Sequence, residues 1–159
     1  MTKEEQKKYF IDAMTATKRE GMDELLDFME DLGFYEAPAS GGNHLCKDGG
    51  LLEHTVNVMQ HAEKIGVTLL GGAAYNKIHN SVIIAAGLHD LGKCGRYGSP
   101  YYVENMIQDG RPTKKNPEQK YKRSESKPYK VSPDLCHIDH PLRSVELAAR
   151  YIDLTEEEE

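Results

Sequence analysis

The sequence predicts an all-α fold carrying one small inserted β-hairpin, and three observations predict it. Apolar residues recur at helical spacing through five separate segments. Capping residues, glycines and a proline fall at the ends of those segments, where helices start and stop. Between the fourth and fifth segments, from about residue 100 to 131, the helical period gives way to aromatic and alternating residues.

The first helix opens at Thr2, with Glu5 at capping-box spacing, and runs amphipathically to about Arg19, where Gly21 breaks it. Met22, Leu25, Leu26, Met29 and Leu32 then form the stripe of a second helix that Gly33 ends. Ala37-Pro38-Ala39-Ser40-Gly41-Gly42-Asn43 is a loop by composition. A third stripe follows Gly49-Gly50 through Leu51, Leu52, Thr55, Val58, Ala62 and Ile65, with His54, Val58 and His61 along one side. Gly71-Gly72 separates it from a fourth helix over roughly Ile78 to Leu91. Tyr-rich segments on either side of Asp109-Gly110 and Arg111-Pro112 predict the inserted hairpin. The last helix is expected over His140 to Ile152, with Pro141 suited to a first turn. Thr155 and Glu158 then repeat the capping-box spacing at the end of the chain, a helix start with no helix that predicts a truncated C-terminus, a missing partner element or a frayed acidic tail.

The 159 residues suit one domain, residues 1–159, with a core that needs no disulfide. Cys46, Cys94 and Cys136 are odd in number and show no Cys-x-x-Cys spacing, so they read as cytosolic thiols. Cys136, His137 and His140 make at best a partial metal cluster, because structural zinc needs four closed ligands. No membrane span or signal peptide is evident, and a cytoplasmic location with no membrane partner is expected. Oligomeric state is open, since Met22 and Met29 suit a core or an interface equally. The formal charge of −6 is unevenly spread: from Gly110 to Lys130 eight Lys/Arg face two Glu. A basic segment on an acidic body can draw in an anionic substrate or, by its solvated charge, simply stay soluble.

The chemistry concentrates at His89-Asp90, inside the apolar run Val82 to Lys93. An imidazole and a carboxylate are both good ligands for a divalent cation. Neighbours in sequence share one ion only if other segments complete the shell, and His54 and His140 each stand near the start of a helical stripe. The candidate ligand set is therefore His54, His89, Asp90 and His140, for one or two ions of Mn, Fe, Co, Ni or Zn. Such an ion lowers the pKa of water bound to it and neutralises charge on a phosphoryl oxygen. Asp90, with two oxygens, can bridge two ions. Lys93, three residues on, is placed to meet a phosphate oxygen, and Arg143 can add bidentate contact or serve as a solvent-facing helix charge. Asp90 and Lys93 are the candidate catalytic pair; His61, His79 and His137 are read as ordinary structural histidines.

Three separated motifs carry a resemblance: Gly-Gly-Leu-Leu-Glu-His ending at His54, Gly-Leu-His-Asp-Leu-Gly-Lys from Gly87 to Lys93, and the His140-x-x-Arg-Ser helix start. Together they resemble the HD-domain superfamily of metal-dependent phosphohydrolases over roughly residues 34 to 155. The Ala37-Pro38-Ala39-Ser40 loop and His44 are similar to an approach segment of the branch with phage-type HD proteins and HD-bearing 3′–5′ exonucleases. The resemblance implies an HD-type helical bundle with a mono- or dinuclear centre. It implies His54, His89 and Asp90 as ligands, His140 as a ligand of dinuclear members, and Lys93 beside the substrate phosphate. With it, His44 and Arg143 join Lys93 as candidate substrate-binding residues. Pro141-Leu142 stands where Gly-Glu is often found, and the family's next helix, with a further His and a distal Asp, has no counterpart before Glu159. The expected function is hydrolysis of a phosphate ester of a nucleotide or related small molecule. The alternatives are a nuclease on single-stranded nucleic acid, guided by the basic insertion, and a module that binds a phospho-ligand without cleaving it.

Overall fold

The computed structural model describes residues 1–135 and 138–159. Cys136 and His137 lie outside them, and with them the Cys/His cluster considered above. Among the described residues the chain is mostly helical: α1 (Lys3–Ala16), α2 (Met22–Asp31), α3 (Gly50–Leu70), α4 (Gly72–Tyr75), α5 (His79–Leu88) and α6 (His140–Ala148), with a 3₁₀ turn at Leu91–Lys93. No helix is long and apolar enough to cross a membrane.

Local chemistry sets the ends. At α1 both halves of the capping box form: Glu5 Oε2 accepts from the Thr2 N–H at 2.7 Å, and Thr2 Oγ1 accepts from the Glu5 N–H at 3.2 Å. α2 closes in a Schellman motif. The Phe34 N–H reaches the Met29 carbonyl and the Gly33 N–H the Glu30 carbonyl, with Gly33 at φ 74°, a left-handed conformation costly to a side chain. α5 is apolar on every side, the signature of a helix surrounded by others. It packs against α1, α3 and α6, and Ile83 and Ile84 are buried with Phe10, Met14, Leu51, Leu52 and Met59. Each such side chain stabilises the fold by about 1.5–3 kcal/mol relative to exposure.

Four expectations shift. The first helix ends at Ala16 instead of about Arg19. The separator at Gly71-Gly72 holds a short helix, α4. The fourth helix ends at Leu88 instead of Leu91, so Asp90 stands between α5 and the 3₁₀ turn. The last helix ends at Ala148, four residues early, where Tyr151 and Ile152 turn back on the Ala148 carbonyl.

The insertion forms two antiparallel ladders in line. β1 (Tyr102–Glu104) pairs with β4 (Tyr129–Val131), and β2 (Met106–Gln108) with β3 (Tyr121–Arg123). The outer pair, β2 and β3, is exposed throughout. The inner pair is extended by the Ser132 N–H on the Tyr101 carbonyl at 2.8 Å and tied to the loop before α3 by the Tyr129 N–H on the Gly41 carbonyl at 3.0 Å.

Candidate metal centre

His54 lies on the second turn of α3, and His89 caps α5 one residue before Asp90. α3 packs along α5, so two histidines far apart in sequence meet. Three donor atoms converge: His54 Nε2 and His89 Nε2 are 3.3 Å apart, and each is 3.3 Å from Asp90 Oδ2. That near-equilateral triangle has the spacing of neighbouring ligands in a shell with bonds of about 2.0–2.1 Å. These three form a group able to hold a metal ion.

The ring of His89 is held in place from behind. Its Nδ1 lies 2.8 Å from the Ala86 carbonyl oxygen, which can only accept, so Nδ1 carries the proton. In the neutral ring the lone pair is then on Nε2, facing the cluster. Burial works against a charged imidazole at His89, but hydrogen bonds to Asp90 and to the Ala86 carbonyl outweigh it and raise its pKa. At His54 burial prevails over the pull of Asp90 and lowers the pKa, which keeps this ring neutral near pH 7. Burial alone would raise the pKa of Asp90, yet the hydrogen bonds from His89 and Lys93 hold it well below the usual carboxylate range. Metal ligation requires neutral imidazoles around an ionised carboxylate; His54 and Asp90 already favour those states, and at His89 a cation would have to displace the proton that Asp90 favours on Nε2.

The two oxygens of Asp90 face different partners. Oδ2 meets both histidines and, at 2.8 Å, Lys93 Nζ; Oδ1 faces His140 Nε2 at 3.5 Å. The 3₁₀ turn explains the Lys93 contact, because its three-residue period puts side chains i and i+3 over one another. His140 stays outside the mutual set of donors but borders it. His44 reaches the cluster at second hand, its ring 5.1 Å from that of His54. The carboxylate of Asp90 forms a floor with side-chain exposure of 7 %, whereas His54, His89 and His140 keep 25, 33 and 40 %. The cluster is therefore open to a ligand on its imidazole side. A recess of about 280 Å³ between Ile84, Leu88, Pro141 and Val145 adjoins His89.

Arg143 is placed away from the cluster. It is buried, and its Nη2 donates to the Gly95 carbonyl at 2.8 Å. Its place in the fold is to tie α6 to the segment after the 3₁₀ turn. His61 is exposed on α3 and bonds the Asn57 carbonyl, and His79 lies 3.5 Å from Glu63.

Two residues that position the cluster were not singled out by type. Ser144 Oγ accepts from the Gly92 N–H at 2.8 Å and stands 2.9 Å from the His89 carbonyl and 2.8 Å from the His140 carbonyl. One buried hydroxyl thus joins the end of α5, the 3₁₀ turn and the start of α6. Gly92 permits that junction, since a Cβ there would lie 2.1 Å from the His140 carbonyl oxygen. Both fall inside the quoted motifs, which were the available signal. Comparison with protein-family models, curated proteins and solved structures finds no match for this chain.

Proposed function

We propose that this chain is a metal-dependent phosphohydrolase of the HD type, cleaving a phosphate ester of a nucleotide or related small molecule. The observation that carries the reading is the 3.3 Å triangle of His54 Nε2, His89 Nε2 and Asp90 Oδ2. The motif resemblance at His54, His89-Asp90 and His140 supports it from the sequence side. A divalent cation held there supplies Lewis acidity, both for activating water and for neutralising a phosphoryl oxygen.

The residues divide the remaining work. His54 and His89 offer imidazole nitrogens from two helices, that of His89 once its Nε2 proton is released, and Asp90 brings the one negative charge. Its second oxygen, directed at His140, suits a bridging role should two ions bind. Lys93 has three N–H donors and gives one to Asp90, which leaves others for a phosphate oxygen. His44 and His140 border the open side, where a substrate enters. Ser144 and Gly92 are positioning residues that fix α6 against the ligand turn.

Metal analysis of protein purified without chelator tests the proposal, joined to a nucleotide panel assayed with Mn, Co or Ni. Bound metal and at least ~100-fold loss of turnover in Asp90→Ala are the expected results. A metal-free protein, or unchanged turnover in Asp90→Ala, overturns the reading.

A further inference from the structure

A second cavity, of about 360 Å³, lies between the glycine loop and the inner hairpin; Gly41, Gly42, Asn43, Tyr102, Lys127 and Lys130 are among its lining residues. Its volume falls within the range of small-molecule sites. Its charge is one-sided, with two lysines and no acidic residue in the lining. Two other basic residues of the insertion are paired, Lys122 with Asp109 at 3.4 Å and Arg123 with Glu104 at 3.4 Å, and the rest lie out on the exposed arm away from this cavity's lining. Among the described residues neither Lys127 nor Lys130 has such a partner.

The lysine is placed by the backbone beneath it. A Cβ on Gly42 would lie 3.0 Å from Lys127 Cγ, and one on Gly41 would lie 3.4 Å from Lys127 Cε. The aliphatic stem of Lys127 therefore runs across both glycines and carries its ammonium over Gly41. The Asn105 side chain holds the Lys127 carbonyl at 2.9 Å, and the Lys127 N–H donates to Ser124 Oγ at 3.2 Å. Ser40 Oγ accepts the N–H groups of Asn43 and His44, each at 3.0 Å. Among the described residues the N–H groups of Gly41 and Gly42 make no hydrogen bond. An ammonium beside free backbone donors is an anion-binding arrangement.

The same loop reaches the metal centre. Asn43 lines this cavity, and the next residue, His44, sets its ring against His54. Tyr102 lines the cavity from the other side. A ligand bound to the cluster can thus extend over His44 and Tyr102 into the lysine cavity.

We infer that this cavity is a second phosphate subsite, so that the substrate carries two phosphate groups: one at the metal cluster and one held by Lys127, Lys130 and the Gly41-Gly42 backbone. The inference rests on the phosphohydrolase reading and narrows its substrate class to nucleoside bisphosphates or short oligonucleotides.

The test compares wild type with Lys127→Ala/Lys130→Ala, an exchange at two exposed positions that leaves the core untouched. Equilibrium binding and Mn-supported turnover are measured with adenosine 5′-monophosphate, adenosine 3′,5′-bisphosphate and a single-stranded hexadeoxyadenylate. The double variant is expected to bind the two-phosphate ligands about tenfold more weakly and to raise their KM alike, with kcat and the monophosphate response unchanged. A larger loss for the hexanucleotide identifies the second phosphate as a nucleic-acid backbone, and a larger loss for the bisphosphate identifies a nucleotide; both uphold the subsite. Equal affinity of wild type and variant for the two-phosphate ligands, or an equal loss for the monophosphate, overturns it. Lysine-dependent binding without cleavage of any ligand keeps the subsite and removes the phosphohydrolase reading, whereas cleavage indifferent to the lysines does the reverse.

Discussion

The ends of α5 and α6 and the inserted hairpin both carry charged and polar groups, but they hold them by opposite means. At the helix ends the key polar groups are held by several packed neighbours: Asp90 touches two imidazoles and an ammonium, and Ser144 meets three backbone groups. In the outer hairpin the same chemical types face water, and Arg123 stacks over Tyr129 with its ring centroid 4.7 Å away. The contrast teaches where rigidity is located. Donor atoms that must converge within a few tenths of an ångström stand on packed helices, while groups that need only supply charge stand on an extended arm.

The largest effect separating the two regions is expected from one methyl group. In Gly92→Ala the new Cβ would meet the His140 carbonyl oxygen at 2.1 Å and Arg143 Cβ at 3.0 Å, so α6 must move. A loss of about 3 kcal/mol or more is expected from urea unfolding, together with weaker metal binding, because His140 and Ser144 move with the helix. Gly110→Ala, in the outer arm at φ 72° with nothing within 4 Å, should cost about 1 kcal/mol, from backbone strain alone. Equal costs at the two glycines would erase the distinction.

A second comparison uses the same ion pair in two settings. Arg19 grips Glu158 with two hydrogen bonds, at 2.8 and 2.7 Å, and the Glu158 side chain is fully enclosed. The hydrogen bond from Arg19 outweighs burial and lowers the pKa of Glu158 to about 2. A depressed carboxyl pKa contributes stability above its unfolded value, near 4.5, and loses it as pH falls toward about 2. Glu158→Gln is therefore expected to cost about 2–3 kcal/mol at pH 7 and progressively less below pH 4.5, read from thermal unfolding across pH. Glu104→Gln, which breaks the exposed Arg123 pair, should cost under about 0.5 kcal/mol at any pH. A Glu158 effect that persists undiminished at pH 2 would show that the residue acts through packing and not through charge.

Much of the helical part was legible because its signals are local. Helical stripes, the Thr2–Glu5 box and the Gly33 stop each depend on residues within one turn. His54, His89 and Asp90 were legible for a related reason: a carboxylate and imidazole in an apolar run need compensation, and few other residues offer it. The pairing of Arg19 with Glu158 was not, since the two are 139 residues apart; the sequence marks Glu158 only as the acid of the Thr155 capping box, a bond it does make at 3.0 Å. Arg143 was misjudged in kind, for an arginine early in a helix gives no sign that its guanidinium will be buried on a carbonyl. The end of α6 was placed four residues late because Tyr151 and Ile152 continue the apolar pattern after the backbone has turned.

The smallest effect is expected from removing the outer arm. Met106 to Arg123 can be replaced by two glycines, because the Ser124 N–H already bonds the Asn105 carbonyl at 2.9 Å and a two-residue turn spans such a gap. Met106 and Ile107 remain 45 and 40 % exposed, so little apolar contact is lost. Shortening the loop also lowers the entropy cost of closing it, by a few tenths of a kcal/mol to about 1 kcal/mol. These terms oppose one another, and the excised chain should unfold within about 1 kcal/mol of the parent and bind Mn within about twofold, by calorimetry. Lys127 and Lys130 stay in place, so two-phosphate ligands should also keep their affinity. A tenfold loss of Mn affinity would mean that the arm helps shape the cluster, and the division between rigid helix ends and accessory hairpin would fail at its simplest point.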